Sequence, residues 1–318
     1  MTETILLKES SGLPGAECSG NSGKIMKGFG FDGVDTYTVS FPGLLFSADK
    51  TFDCGQCFRW KKNDDDSWEA VVKGRLLRCE GADDVISIKC LEGDCDDAFS
   101  AILDDYFDIG TDYGALTSEL SIKDDVMSKA CEVSSGIRLL KQDLFETVIS
   151  FIVSANNNIP RIKKCIENIC ISDGEKITDL YYAFPTPEAL SSADPADLTK
   201  YCRVGYRGPY IAETAKIFAE GSISLDMLNA ESLEDQRKKL LSLPGVGPKV
   251  LNCIMLFSGI DRTAFPVDVW VERMMDELYG IKLPDRNRLE KYGKEYFGEN
   301  AGLAQQYLFY YIRNIHGK

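Results

Sequence analysis

Lys249 and Asp268 are the residues of this 318-residue chain whose setting most clearly suggests chemistry. Lys249 follows the glycine turn in "LPGVGPK" and stands at the start of an apolar, helix-like stretch. An amine beside a helix N-terminus and partly shielded from water has its charged form disfavoured, which makes it a candidate nucleophile. The alternative is a solvated lysine that only adds charge. Asp268, in "FPVDVW", is a candidate helix N-cap and a candidate electrostatic partner for the lysine.

The chain between these two residues is long enough to bring them together. A helix of about 11 residues after the turn rises ~16 Å. The seven residues 261–267 then span ~20 Å if they are extended, and Pro266 favours an extended approach. We therefore expect Asp268 to return to the side of Lys249.

The glycine turn itself predicts an anion site. A first helix should end near Leu243, because Pro244 disfavours helical geometry in the residue before it. Gly245 and Gly247 permit left-handed dihedrals or close backbone approach, and Pro248 suits the first turn of a new helix. The unpaired amides at the start of that helix are suited to a phosphate.

The remaining pattern predicts an α+β protein. Apolar residues alternate from Asp35 to Cys90, which is typical of an antiparallel sheet, and "DDAFSAILDDYF" then switches to helical spacing. From about Lys123 onward the periodicity is almost wholly helical. We predict a flexible leader over residues 1–30, an antiparallel β domain with helices over 31–125, and a larger all-helical domain over 126–318. The helix–hairpin–helix lies at about 232–260.

Charge is unevenly placed along the chain, whose formal net charge is -14. Up to Ala130 there are 13 basic and 25 acidic residues, against 23 and 25 in the rest. The overall acidity argues against nonspecific coating of nucleic acid, which rests on Lys and Arg. The second part can nevertheless carry a local basic surface.

The cysteines indicate a reducing compartment. There are eleven of them, scattered and odd in number, which does not suggest a disulfide framework. Cys54 and Cys57 form a C-x-x-C, but no second pair follows at zinc-ligand spacing. Without a membrane-length apolar run or a recognisable targeting segment, we expect an intracellular protein. It would be nuclear in a eukaryote and in the cytoplasm or nucleoid of a prokaryote.

Several motifs together resemble a known family. The pair "LPGVGPK" and "PVD" resembles the signature of the base-excision DNA glycosylase superfamily, and the lysine marks its bifunctional glycosylase/lyase branch. "CGQCFRW", "SFIVSANNNIPRI", "GYRGPY" and "AGLAQQYLF" resemble the 8-oxoguanine DNA glycosylase family, over about Tyr37 to Arg313. The resemblance implies a TATA-binding-protein-like N-terminal sheet and a monomer that acts on damaged double-stranded DNA in base excision repair without a cofactor.

The resemblance also assigns the chemistry. Such enzymes extrude the damaged nucleotide to reach its sugar. Lys249 matches the amine that attacks C1', after which the base departs and a Schiff base permits elimination of the 3' phosphate. Asp268 matches the carboxylate that stabilises the oxocarbenium-like transition state.

The family's base pocket matches five further positions. Gly55 would offer the carbonyl that accepts the N7 hydrogen of 8-oxoguanine, where normal guanine has a bare lone pair. Gln305 would read the Watson–Crick edge. Cys253 and Phe309 would sandwich the base, with Phe257 as a further wall. Gln305 and Phe309 are four positions apart, and therefore lie on one helix face.

The resemblance assigns a second group to the DNA around the lesion. Asn156 would fill the space left by the base, Arg161 and Arg207 would contact the orphaned cytosine, and Tyr206 would act as an aromatic wedge. Two arginines imply a preference for cytosine opposite the lesion. The phosphate would lie on the hairpin, at Gly245, Gly247 and Val250.

Two features of the resemblance leave questions. Trp270 stands where vertebrate-type members carry a phosphate-binding histidine, so the resemblance does not extend to that contact. No certain metal site is predicted. The backbone carbonyls of Leu241, Leu243 and Val246 in the hairpin could hold a monovalent or similar cation.

Other functions are compatible with parts of the pattern. A noncatalytic helix–hairpin–helix module that only grips DNA would need neither Lys249 nor Asp268. A glycosylase for a different damaged base is a further alternative. The endonuclease III branch usually carries clustered cysteines for an iron–sulfur cluster after the catalytic helix, and here no cysteine follows Cys253. Alkyl-base glycosylases lack the lysine.

Overall fold

The computed structural model describes residues 24–29, 35–40, 46–82, 85–94 and 99–316. Within them, six strands form one antiparallel sheet in the order β1-β2-β6-β5-β4-β3. The alternation predicted from the sequence places Tyr37 opposite Ile88 and Val39 opposite Ile86, and all four side chains are buried. The strands are β1 Lys24–Phe29, β2 Asp35–Ser40, β3 Lys61–Lys62, β4 Trp68–Val72, β5 Arg75–Ala82 and β6 Val85–Glu92.

Helices make up most of the rest of the described chain. The helical periodicity predicted from about Lys123 onward is confirmed, since α4 to α15 all lie in that part of the chain. The helices are α1 Ala48–Asp53, α2 Phe99–Tyr106, α3 Tyr113–Ser121, α4 Asp125–Ser134, α5 Leu144–Ser154, α6 Ile159–Asp173, α7 Pro187–Ser191, α8 Pro195–Lys200, α9 Gly208–Ala219, α10 Leu225–Asn229, α11 Leu233–Leu241, α12 Pro248–Phe257, α13 Val269–Tyr279, α14 Arg286–Phe297 and α15 Ala301–Ile315.

Two hydrophobic cores hold the fold together. The sheet packs on α1 and α2 through aromatic side chains, including Phe52 stacked on Trp60 with 3.9 Å between ring centroids. The helices enclose a larger core. The predicted boundary at residue 125 does not separate the two, because Tyr113 and Leu120 belong to the helical core while Leu140 belongs to the sheet core.

The structure corrects three further expectations. Strand β1 lies within the predicted leader of residues 1–30, so the sheet begins at Lys24, and the leader before it is outside the described residues. The first helix of the hairpin ends at Leu241 rather than near Leu243, which leaves room for the turn before Pro244. The sequence does not suggest a disulfide framework, and eight of the described cysteines are unpaired thiols, but Cys90 is disulfide-bonded.

Candidate active site

The hairpin between α11 and α12 has the geometry that its glycines suggest. Gly245 has a φ of +81°, and a Cβ there would lie 3.1 Å from Tyr210 and 3.2 Å from Ile152. Gly247 is the N-cap of α12, in an extended rather than left-handed conformation, and a Cβ there would meet open space. Helix α12 therefore starts without a side-chain cap, and its first amides, including that of Val250, are available to an anion.

Lys249 projects from the first turn of α12 toward the end of α5. Its Nζ atom lies 3.3 Å from the Ser154 hydroxyl and 5.5 Å from the centre of the Phe151 ring. That ring is stacked on Phe257, with 5.3 Å between centroids and 15° between planes. The lysine is half-buried and held between α5 and α12, which is not the setting of a fully solvated side chain.

Asp268 is the N-cap of α13, as predicted. Its Oδ1 atom accepts hydrogen bonds from the amides of Trp270 at 2.9 Å and Val271 at 3.0 Å. These bonds fix the carboxylate and leave its second oxygen for other contacts. Trp270 is 55% exposed, with the Arg273 guanidinium 5.5 Å from its ring.

One cavity collects the residues proposed for catalysis and base binding. Lys249 and Asp268 both line it, although 19 positions of sequence separate them. The cavity volume is about 70 Å³. Its lining comes from the loop after α1 and from α5, α12, α13 and α15. The predicted residues in it are Gly55, Lys249, Cys253, Phe257, Asp268, Gln305 and Phe309, and those not predicted are Cys54, Phe151, Pro266, Val271 and Gln306.

Cys253 presents a neutral sulfur to this cavity. Burial raises the pKa of its thiol above the usual value, and the nearby charge of Lys249 only partly opposes this while that of Asp268 adds to it. A protonated thiol is a polarisable, weakly polar surface. It is therefore suited to contact the face of a flat ring.

The cavity wall at Gly55 requires glycine. Its φ is +89°, and a Cβ would lie 3.3 Å from the Ile159 methyl and 3.9 Å from the Phe309 ring. A side chain there would be strained and would occupy space beside the ring. The backbone of Gly55 can thus approach a ligand closely.

The second predicted group gathers where the loop after α5 meets the short 3-10 helix Gly205–Arg207 that precedes α9. Asn156, at a φ of 50°, donates from Nδ2 to the Tyr206 hydroxyl at 3.3 Å. Tyr206 is 57% exposed, and its ring lies 4.5 Å from the Arg207 guanidinium. Arg161 is exposed on the first turn of α6. Arg161 and Arg207 both lie near the Cys165 thiol. Burial raises the pKa of this thiol, and the charges of the two arginines partly oppose that rise.

Arg207 differs from this group because it is only 5% exposed. Its Nε and Nη2 atoms donate to the Ala155 carbonyl, Nη2 also donates to Asn156 at 3.3 Å, and Nη1 donates to Val204 at 2.9 Å. Most of its donors are thus committed to the loop backbone in this structure. The assigned contact with cytosine stays a prediction.

A groove of about 270 Å³ adjoins the cavity along the hairpin. Lys249 lines both, so the groove leads from the hairpin amides to the lysine. A phosphate on the hairpin would place its sugar next to the cavity. The groove is lined by Ala155, Gly245, Gly247, Pro248, Lys249, Val250, Asn252, Val267, Arg286, Asn287 and Glu290.

Comparison with known proteins agrees with this arrangement. Residues 39–148 match the family described as 8-oxoguanine DNA glycosylase, N-terminal domain, and residues 149–299 match the HhH-GPD superfamily of base excision DNA repair proteins. The chain belongs to the 8-oxoguanine DNA glycosylase family. It is 37% identical over 215 residues to a probable N-glycosylase/DNA lyase of Methanothermobacter thermautotrophicus, covering 60% of this chain and 68% of that protein.

Two further relatives cover more of the chain. An N-glycosylase/DNA lyase of Saccharomyces cerevisiae is 32% identical over 271 residues, which is 76% of this chain and 70% of that protein. The Clostridium acetobutylicum 8-oxoguanine glycosylase/lyase, solved with double-stranded DNA containing cytosine opposite 8-oxoguanine, is 34% identical with a TM-score of 0.84. That comparison covers 93% of this chain and all of the other.

The family signature missed several residues that the fold brings to the site. Ser154 and Phe151 contact Lys249 from within "SFIVSANNNIPRI", where the apolar pattern indicated only a buried helix. Gln306 lies in the cavity beside Gln305, and the doubled glutamine in "AQQY" was the available signal.

Two other sequence expectations concern cations and membranes. In the part of the chain that the structure describes, no cluster of three or more His, Cys, Asp and Glu side chains is placed to hold a metal ion. The Leu243 carbonyl accepts from the Val246 amide at 3.1 Å, and a cation on the carbonyls of Leu241, Leu243 and Val246 stays a prediction. None of the helices over the described ranges has the length and apolar character of a membrane span.

Proposed function

We propose that the protein is a bifunctional DNA glycosylase/lyase that excises 8-oxoguanine from duplex DNA, with Lys249 as nucleophile. The observation that carries the proposal is the single cavity in which Lys249 and Asp268 face the proposed base-binding residues. The family relationship supports it, because the related proteins are named as N-glycosylases and DNA lyases. We propose that the protein acts as a monomer, as its resemblance to the family implies.

The proposed reaction uses the lysine twice. The Lys249 nitrogen attacks C1' of the extruded nucleotide, and the glycosidic bond breaks with its electron pair leaving on the base, which takes up a proton. Loss of the amine proton and opening of the sugar ring give a Schiff base. Removal of a C2' proton then expels the 3' phosphate, which breaks the strand. Asp268 stabilises positive charge on the sugar as the base departs.

The proposed base recognition depends on one hydrogen atom. The N7 of 8-oxoguanine carries hydrogen and donates to the Gly55 carbonyl, whereas guanine would direct a lone pair at the same oxygen. Gln305 contacts the Watson–Crick edge, and the ring lies between Cys253 and Phe309. The contact with the Gly55 carbonyl is therefore attractive for 8-oxoguanine and repulsive for guanine.

We propose further that cytosine is the preferred base opposite the lesion. Asn156, Tyr206 and Arg207 contact one another next to Ala155, which lines the hairpin groove. The exposed Arg161 has guanidinium donors, which suit the acceptor atoms of cytosine. The DNA in the Clostridium acetobutylicum structure also carries cytosine opposite 8-oxoguanine.

Borohydride trapping tests the function directly. With a duplex containing 8-oxoguanine opposite cytosine, the protein should form a covalent adduct, and Lys249→Gln should form none. An undamaged duplex serves as the control, and the same assay with each opposite base measures the preference for cytosine. A protein that binds the duplex without any adduct would instead be a noncatalytic DNA-binding module.

A further inference from the structure

The peptide carbonyls around Gly55 are held by side chains from distant parts of the chain. The Asp53 carbonyl accepts from Arg313 Nη2 at 2.8 Å, the Cys54 carbonyl from Gln306 Nε2 at 3.0 Å, and the Gln56 carbonyl from Gln142 Nε2 at 2.8 Å. Within the described residues, the Gly55 carbonyl accepts no hydrogen bond. Its neighbours are fixed, and it alone is left for a ligand.

All three donors belong to the helical part of the chain. Gln306 and Arg313 are seven positions apart on α15 and so lie on one helix face, and Gln306 is 3% exposed. Gln142 stands just before α5, and its own amide donates to the Phe257 carbonyl at 2.8 Å. The loop that carries Gly55 is therefore tied to the wall of the base cavity.

Gln305 and Gln306 are neighbours in sequence with different surroundings. Both line the cavity, and Gln306 is hydrogen-bonded to the Cys54 carbonyl. Among the described residues, the side-chain amide of Gln305, which is 5% exposed, takes part in no hydrogen bond. Gln305 is thus available to a base, whereas Gln306 is engaged in holding the loop.

We propose that Gln306 is a positioning residue that, with Gln142, fixes the Gly55 carbonyl and thereby enforces discrimination between 8-oxoguanine and guanine. Glycine has the most freedom of any residue, and an unrestrained Gly55 peptide would rotate away from the N7 lone pair of guanine. Holding the peptides on both sides keeps the oxygen in place, so the repulsion cannot be relieved. The inference rests on the proposed role of Gly55.

The test compares two reactions of the same protein. Gln306→Met keeps the length of the side chain but removes its donor. We expect single-turnover excision of 8-oxoguanine opposite cytosine to fall about ten-fold, the usual effect of one lost hydrogen bond. Strand cleavage at a preformed abasic site needs Lys249 but no base, and should stay within about two-fold. Binding to an 8-oxoguanine duplex relative to a guanine duplex should weaken in the variant.

A matched control and a second variant complete the test. Gln236 is similarly buried but does not line the cavity, and its Nε2 donates to the Leu228 carbonyl at 2.8 Å and the Glu231 carbonyl at 3.2 Å. Gln236→Met should therefore leave the ratio of excision to abasic cleavage unchanged. Gln142→Met should repeat the Gln306→Met result if the latter variant folds poorly. Equal loss of both activities, or loss of neither, in a folded variant would overturn the inference. Absence of an adduct with the unsubstituted protein would instead overturn the proposed function.

Discussion

The side-chain nitrogen of Lys249 lies 3.3 Å from the hydroxyl oxygen of Ser154, the last residue of α5. That hydroxyl donates its own hydrogen to the Phe151 carbonyl at 2.8 Å, which turns its lone pairs toward the lysine. The nucleophile proposed here is therefore positioned by a helix that precedes it by 95 positions in the chain.

Ser154→Ala should slow adduct formation. Loss of the hydroxyl leaves the lysine without this acceptor, and we expect a decrease of about five-fold in the single-turnover trapping rate. Ser258→Ala is a matched control, because its buried hydroxyl also donates to a helix carbonyl, that of Ile254 at 2.6 Å. An equal rate for Ser154→Ala and the unsubstituted protein would show that Ser154 does not position the lysine.

Two substitutions separate the roles of Asp268. Asp268→Asn keeps a good N-cap but removes the charge, so base excision should fall on the order of 100-fold while the free energy of unfolding changes little. Asp268→Ala removes both the N-cap and the charge, and should therefore also lower the free energy of unfolding by about 1 kcal/mol. Urea denaturation and single-turnover excision measure the two effects. Full activity in Asp268→Asn would contradict the electrostatic role.

Arg207 should contribute to stability, unlike Arg161. Arg207→Ala leaves the half-buried carbonyl of Ala155 and the buried carbonyl of Val204 unpaired, and we expect the free energy of unfolding to fall by about 2–4 kcal/mol. Arg161 is exposed, and Arg161→Ala should change it by less than about 0.5 kcal/mol. Urea denaturation of both variants measures the difference. Similar stabilities would mean that the Arg207 bonds are replaced by water.

Stability should depend on pH through Glu146. Burial raises the pKa of its carboxyl to about 7 from 4.5, although Arg59 opposes the rise with an ion pair at 3.9 Å. The folded protein thus holds a proton that the unfolded chain releases, and the free energy of unfolding falls as pH rises from about 4.5 to 7. The upper limit is roughly 3 kcal/mol, and the 20% exposure of the side chain reduces it to ~1–2 kcal/mol.

Glu146→Gln removes this dependence. The variant should be more stable than the unsubstituted protein at pH 8, and the advantage should disappear near pH 4, below the unfolded pKa of the Glu146 carboxyl. Glu188→Gln is the control, since Glu188 also lies in the first turn of a helix but is exposed. Urea denaturation at both pH values gives the comparison, and parallel pH profiles for all three proteins would refute the assignment.

The local part of the site was predictable from the sequence. Proline and glycine fix the turn before Lys249, a four-residue spacing places Lys249 and Cys253 on one face of α12, and Asp268 caps the helix that it precedes. Each of these features depends on backbone geometry within a few residues. A short segment therefore carries the information.

The partners of those residues depended on the tertiary structure. Nothing in the spacing of the sequence indicates that Ser154 meets Lys249, that Gln306 rather than Gln305 holds the Cys54 carbonyl, or that Arg207 is buried. Periodicity shows which face of a helix is turned inward, but not which other element it meets. The sequence thus determined the helices, the turn and the identity of the reactive groups. Their orientation and their fixed surroundings come from contacts between distant segments, which form only when both cores are packed.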